Sequence, residues 1–194
     1  MMRTNHAILS TLGSALLTTI LAGPVIAADS PAVDPSVKAW MQRMDDRAAI
    51  HDLIVTYGRL LDGRDLAGYS RLFAADGVWE GGIGSAKGPK EIQQMLERVY
   101  SRVAPGEYGN SYHIMSDFLI EPKGDTATAW SRWTWVAEGE DGKPAIQRSG
   151  HYEDTLVREG GGWRFKRRLT VTEMPTPAKD TEARIFRRDH REGK

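Results

Sequence analysis

The hydrophobic period of the chain changes once, near Tyr112, and that change restricts the fold more than any other feature. Before it, Ile50, Leu53, Ile54, Tyr57, Leu60 and Leu61 recur at three- and four-residue steps, the spacing of one helix face. Beyond it apolar residues alternate, marking strands at Tyr112 to Glu121, Thr126 to Ala137, Ala145 to Arg158 and Gly162 to Glu173. Residues 122–125, 139–142 and 159–161 are short glycine-bearing turns, so consecutive strands are expected to pair as antiparallel hairpins. Helices followed by a meander predict an α+β domain, three N-terminal helices packed on a curved antiparallel sheet.

The first of those helices is predicted to start at Asp45 or Asp46, either of which can cap free backbone N–H groups, and to end at Asp62. The second runs from Asp65 toward Ala74, and an Asp76-Gly77 turn leads into a short strand at Val78, Trp79 and Glu80 that Gly81, Gly82 and Gly84 break. The third has Pro89 at its first position and Ile92, Met95, Leu96, Val99 and Tyr100 along one face.

Four segments follow. Residues 1–28 read as a signal peptide, with Arg3 before an apolar run from Ala7 to Leu21 and small residues near Ala27 for cleavage. This predicts a periplasmic or secreted protein with no stable membrane anchor after cleavage. Residues 29–44 are expected to be linker and helix lead-in, 45–174 the domain, and 175–194 a charged C-terminal tail. The chain has no cysteine, so disulfides, a thiol nucleophile and a lipid-bearing cysteine are excluded. Lys plus Arg and Asp plus Glu both total 26, which gives no bulk attraction to nucleic acid. No metal site is expected, because His51, His113 and His151 lack ligand spacing. Phosphate-loop and Gly-x-Ser-x-Gly signatures are missing as well.

A curved sheet covered by helices leaves a hollow that suits a small molecule. Asp62 sits where the helix dipole is negative and asks for a compensating partner, although it could simply open the Asp62-Gly63 turn. On the first long strand, simple alternation puts His113, Met115, Asp117 and Leu119 on one face and Tyr112, Ile114, Ser116, Phe118 and Ile120 on the other. A carboxylate meeting His113 would fix one tautomer and make it an acid or base; a satisfied structural histidine is the alternative. Trp133 and Trp135 share a face that can wall the hollow, or pack, or join a dimer, with Trp130 opposite. Tyr152 and Asp154 share a face of the third long strand and would add a donor and an acceptor.

These residues sit in a recognisable order. AIHDLIVTYGRLLDGRDLAGYSRLFAADGVWE, GPKEI, SYHIMSDFLIE and SGHYEDTLVREGGGWRFKRRLT resemble SnoaL-like proteins of the nuclear transport factor 2-like superfamily, in particular the scytalone dehydratase-like subgroup. The resemblance spans Asp45 to Glu173 and implies a cone-shaped fold, a homodimer packed through the outer sheet face and no cofactor. It implies that Asp62 orients His113 and that His113 works on a small apolar substrate, aromatic or polyketide-like. Tyr57, Trp79, Glu80, Trp133, Trp135, Tyr152 and Asp154 become the implied substrate-binding residues. The subgroup's second histidine would fall near Ala137 and is missing; its asparagine corresponds to Asp154 and its early tyrosine to about Glu80. The implied activity is a cofactor-independent acid-base lyase, by dehydratase-like elimination or loss of an aldehyde-type fragment. The alternatives are an exported small-molecule-binding protein without activity, or a cyclase or isomerase.

Overall fold

Asp34, Pro35 and Ser36 combine an N-cap with a proline at the first helical position, and helix α1 begins there: Pro35–Asp62. The Asp34 carboxylate accepts the Ser36 N–H at 2.7 Å. The expected cap at Asp45 or Asp46 is thus corrected to Asp34, because the first turns expose Val37, Trp40, Met41 and Met44 and make no core stripe that the periodicity could register. Below them the helix buries Asp46, Ile50, Leu53, Ile54 and Tyr57. The computed structural model describes residues 34–102 and 110–175, all in a unit that starts at Asp34. The expected signal peptide and nearly all of the expected tail lie outside the described residues.

After α1 the chain makes a single helical turn, α2 (Leu66–Ser70), capped by the Asp65 carboxylate on Gly68 N–H at 2.7 Å. Strand β1 (Phe73–Gly81) hairpins into β2 (Gly84–Lys87), α3 (Gly88–Tyr100) follows, and then come β3 (Ser111–Lys123), β4 (Thr126–Glu138), β5 (Pro144–Glu159) and β6 (Gly162–Met174). One six-stranded sheet results, in the order β2-β1-β6-β5-β4-β3.

The expected three N-terminal helices and wholly antiparallel sheet are both corrected. Only α1 is a long helix ahead of the sheet; α2 is one turn and α3 lies between β2 and β3. The sheet is mixed, since β1 pairs with β6 in parallel while the β3 to β6 meander is antiparallel as predicted. Parallel neighbours need a long crossover. Everything from β2 to β5 supplies it, so no hairpin signal announces the pairing.

Strand β3 departs from simple alternation. The β3–β4 register shifts between Ser116 and Leu119, and Asp117 takes a left-handed φ of 54°. This bulge reverses the alternation. Phe118 stacks edge-on against His51 of α1 at 4.5 Å and Ile120 is buried beneath the same helix, so both join the face that carries His113 and Met115. Asp117 is turned outward, where its carboxylate lies 3.3 Å from Arg132 Nε. It is no partner for His113.

The core fills the space between α1, α3 and the concave face, with Ile50, Ile54, Tyr57, Ile92, Leu156 and Phe165 all nearly inaccessible.

Candidate active site

The C-terminal end of α1 delivers Asp62 against the start of β3, and both carboxylate oxygens are engaged by one residue. The His113 backbone N–H donates to Asp62 Oδ2 at 2.9 Å, and His113 Nδ1 lies 2.6 Å from Oδ1. An ionised carboxylate can only accept, so Nδ1 carries a hydrogen, and in the neutral ring the lone pair is then on Nε2. Both side chains are part-buried, and Asp62 is the last residue of α1, so the negative end of that helix lies beside the pair.

His113 lines a cavity of about 560 Å³ between the concave sheet and the helices, within the usual range for small-molecule sites. Five of the expected binding residues are in its wall: Tyr57, Trp79, Trp133, Trp135 and Tyr152. Leu96, Val99 and Tyr100 close the α3 side, so the stripe that marked that helix is shared between core and cavity.

The aromatic wall is held by its own polar tips. Tyr69 O–H donates to Tyr57 Oη at 2.5 Å, and Trp79 Nε1–H donates to the same oxygen at 3.0 Å. The Trp133 indole N–H is satisfied by the His151 carbonyl at 3.2 Å. Burial, with Tyr57 beside them, pushes the Tyr69 and Tyr152 phenols well above their ordinary range. They therefore stay protonated at neutral pH and remain hydrogen-bond donors.

Two expected binding residues lie elsewhere. Glu80 alternates away from Trp79 and pairs with Arg167 Nη2 at 2.6 Å, outside the cavity. Asp154 is on the concave side but below the wall, where it takes both the Nε–H and Nη2–H of Arg168 at 2.7 Å. Arg168 is wholly buried, its Cζ 4.0 Å from the Tyr57 ring centroid, 4.1 Å from Tyr152 and 4.0 Å from Phe165. Burial works against its charge, but the Asp154 fork prevails and binds the guanidinium proton more tightly than usual. Nη1 meets no acceptor among the described residues; the faces of these rings surround the cation instead.

Arg168 is the structural residue that reading the sequence missed, hidden in the basic run Lys166-Arg167-Arg168. A signal existed: a carboxylate at Asp154 on the buried face of a strand demands a cation within reach. Arg64 and Arg148, also in the cavity wall, gave no such signal.

The SnoaL-like domain family matches residues 42–169. Rv2910c, an uncharacterised protein of Mycobacterium tuberculosis, is 29% identical over 133 residues, covering 65% of this chain and 84% of that one. Among solved structures, a nuclear transport factor 2-like protein with a cystatin-like fold from Novosphingobium aromaticivorans superposes with a TM-score of 0.63 at 25% identity, covering 75% of this chain and 94% of that one. A second protein from that organism, assigned provisionally as a scytalone dehydratase, gives 0.56 at 23%, with 68% and 86% covered, a likeness of fold. The order of elements, the mixed sheet and the match over most of the domain agree, and the chain belongs to the SnoaL-like domain family.

Proposed function

We propose that the protein is a cofactor-independent acid-base lyase, acting on a small, largely apolar and aromatic or conjugated molecule held in the cavity. The observation that carries this reading is the double grip of Asp62 on His113, at 2.9 and 2.6 Å, at the edge of an aromatic hollow. His113 Nε2 takes a proton from a substrate carbon next to a carbonyl, and the C–H electron pair moves toward that carbonyl. A phenol of the wall, Tyr152 or Tyr57, hydrogen-bonds the oxygen where negative charge collects. The β-hydroxyl then leaves with its bonding pair as the double bond forms, and receives the proton back from the imidazolium to depart as water. Asp62 holds the ring in place and faces its positive charge while the proton is aboard.

The family resemblance and the aromatic lining support elimination over the alternatives. In the same reading the protein acts outside the cytoplasm, as its first 28 residues imply, and works as a homodimer packed through the outer sheet face.

The test is turnover of a β-hydroxy carbonyl substrate that the purified protein dehydrates. Asp62→Asn presents an amide to Nδ1 and selects the wrong tautomer, and His113→Gln removes the base. Each should lower kcat by about 10² to 10⁴-fold with the near-ultraviolet circular dichroism retained. Undiminished turnover in both variants rules the mechanism out.

A further inference from the structure

The register aligns three residues in one row across the concave face: His113 on β3 stands opposite Trp135 on β4, and Trp135 opposite Arg148 on β5. Adjacent strands are roughly 5 Å apart, so a base and a guanidinium lie about 10 Å apart at the backbone with an indole between them. All three line the cavity.

Arg148 has no anionic partner among the described residues, those of the cavity wall included. Among the described residues of the wall Asp62 is the sole carboxylate, and it is committed to His113. Glu80 and Asp154 are engaged by Arg167 and Arg168. The other cation in the wall, Arg64, lies with its Cζ 3.9 Å from the Tyr100 ring centroid. Among the described residues of the lining, the exposed side chain of Arg148 thus stands on the far side of Trp135 from the base with no carboxylate set against it.

We infer that Arg148 is a carboxylate-recognising subsite and that the substrate is an aromatic or conjugated acid, its carboxylate on Arg148 and its planar body over Trp135 with the reacting carbon at His113. A guanidinium fork matches a carboxylate in shape and in unit charge, whereas a doubly charged phosphate would call for a second free cation. The inference rests on the proposed active site and names the class of molecule it takes.

The test is calorimetric titration of the full-length mature protein with 2-naphthoate, 2-naphthamide and 2-naphthyl phosphate. The carboxylate should bind about tenfold or more tighter than the uncharged amide, and the gap should narrow with salt. Arg148→Gln should erase the preference and Arg148→Lys should keep part of it. His113→Gln should retain the preference in full while lowering turnover by about 10² to 10⁴-fold, which separates the fate of the subsite from that of the base. Equal affinity for acid and amide, a preference that survives Arg148→Gln, tighter binding of the phosphate, or no binding of any probe would each overturn the inference.

Discussion

The most tightly specified residue of the domain is Arg168, which the chemistry of the cavity never touches. Its fork to Asp154 is fully buried, and removing either partner leaves an uncompensated charge under the aromatic wall. Asp154→Ala should therefore cost about 3 to 5 kcal/mol in urea unfolding, with Tyr57 and Tyr152 losing their backing. The double variant Asp154→Leu with Arg168→Met removes both charges and should recover most of that loss. If the double variant is no more stable than the single one, the ion pair is not what the wall rests on. Gly150 is constrained in another way: a Cβ built there falls 1.9 Å from the Val171 carbonyl oxygen and 3.0 Å from the Trp133 ring. Gly150→Ala must push the β6 backbone away from β5 and crowds the indole as well, so it should weaken probe binding as well as stability, read by titration and by thermal melting.

At the scale of elements, α1 is fastened to the sheet at both ends of its buried half. At the lower end Asp62 meets His113. At the upper end Asp46 accepts from Arg158 Nη2 at 2.6 Å, Trp163 Nε1 at 3.2 Å and Gln42 Nε2 at 3.2 Å. Burial pushes the Asp46 carboxyl up, but the hydrogen bonds from Arg158, Trp163 and Gln42 outweigh it and hold the group below its ordinary value of 3.8. A carboxyl depressed on folding stabilises the fold above its unfolded value and ceases to do so as the pH falls through its folded value. Asp46→Asn should accordingly cost about 2 kcal/mol at pH 7, and its deficit against the wild type should shrink only as the pH falls below 3.8. A deficit that does not vary with pH assigns the loss to packing instead. How much was legible follows the same lines. The inner stripe of α1, the faces of α3 and the meander hairpins were readable because burial repeats at the period of the element. The early start of α1 was not, since its exposed turns bury nothing, and the Asp117 bulge was not, since one extra residue leaves no mark on composition. The parallel β1–β6 pairing depends on residues almost ninety positions apart, as at Trp79 and Arg168. Within the candidate site, the meeting of Asp62 with His113 was legible through residue type and order, whereas the turn of Glu80 away from the cavity was not, because the family position was carried over without its face.

For the whole molecule, the sheet presents two unlike faces. The concave one holds the cavity. The register puts Tyr112, Ile114, Leu119 and Ile146 on the other, and they are 50%, 47%, 65% and 69% exposed. Beside them His151 Nδ1 lies 2.9 Å from Glu173 Oε1, Arg132 Nη1 donates to Glu173 Oε2 at 2.7 Å, and the Trp130 ring stacks on His151 at 5.4 Å. Large apolar side chains next to an internally paired polar cluster are what a self-complementary surface needs, because the charges are already answered before a second copy arrives. The proposed homodimer would cover these residues and leave the cavity, on the opposite side of the sheet, untouched. Light scattering on the eluting wild-type protein should then give twice the chain mass, and Ile114→Glu combined with Ile146→Glu should give the chain mass alone, since burying two new carboxylates in each copy costs more than a standard interface can offset. That monomer should still bind 2-naphthoate within about threefold of the wild-type affinity, as neither substitution reaches the concave face. A wild-type protein that elutes as a monomer refutes the dimer, and a monomeric variant that loses the probe ties the two faces of the sheet together.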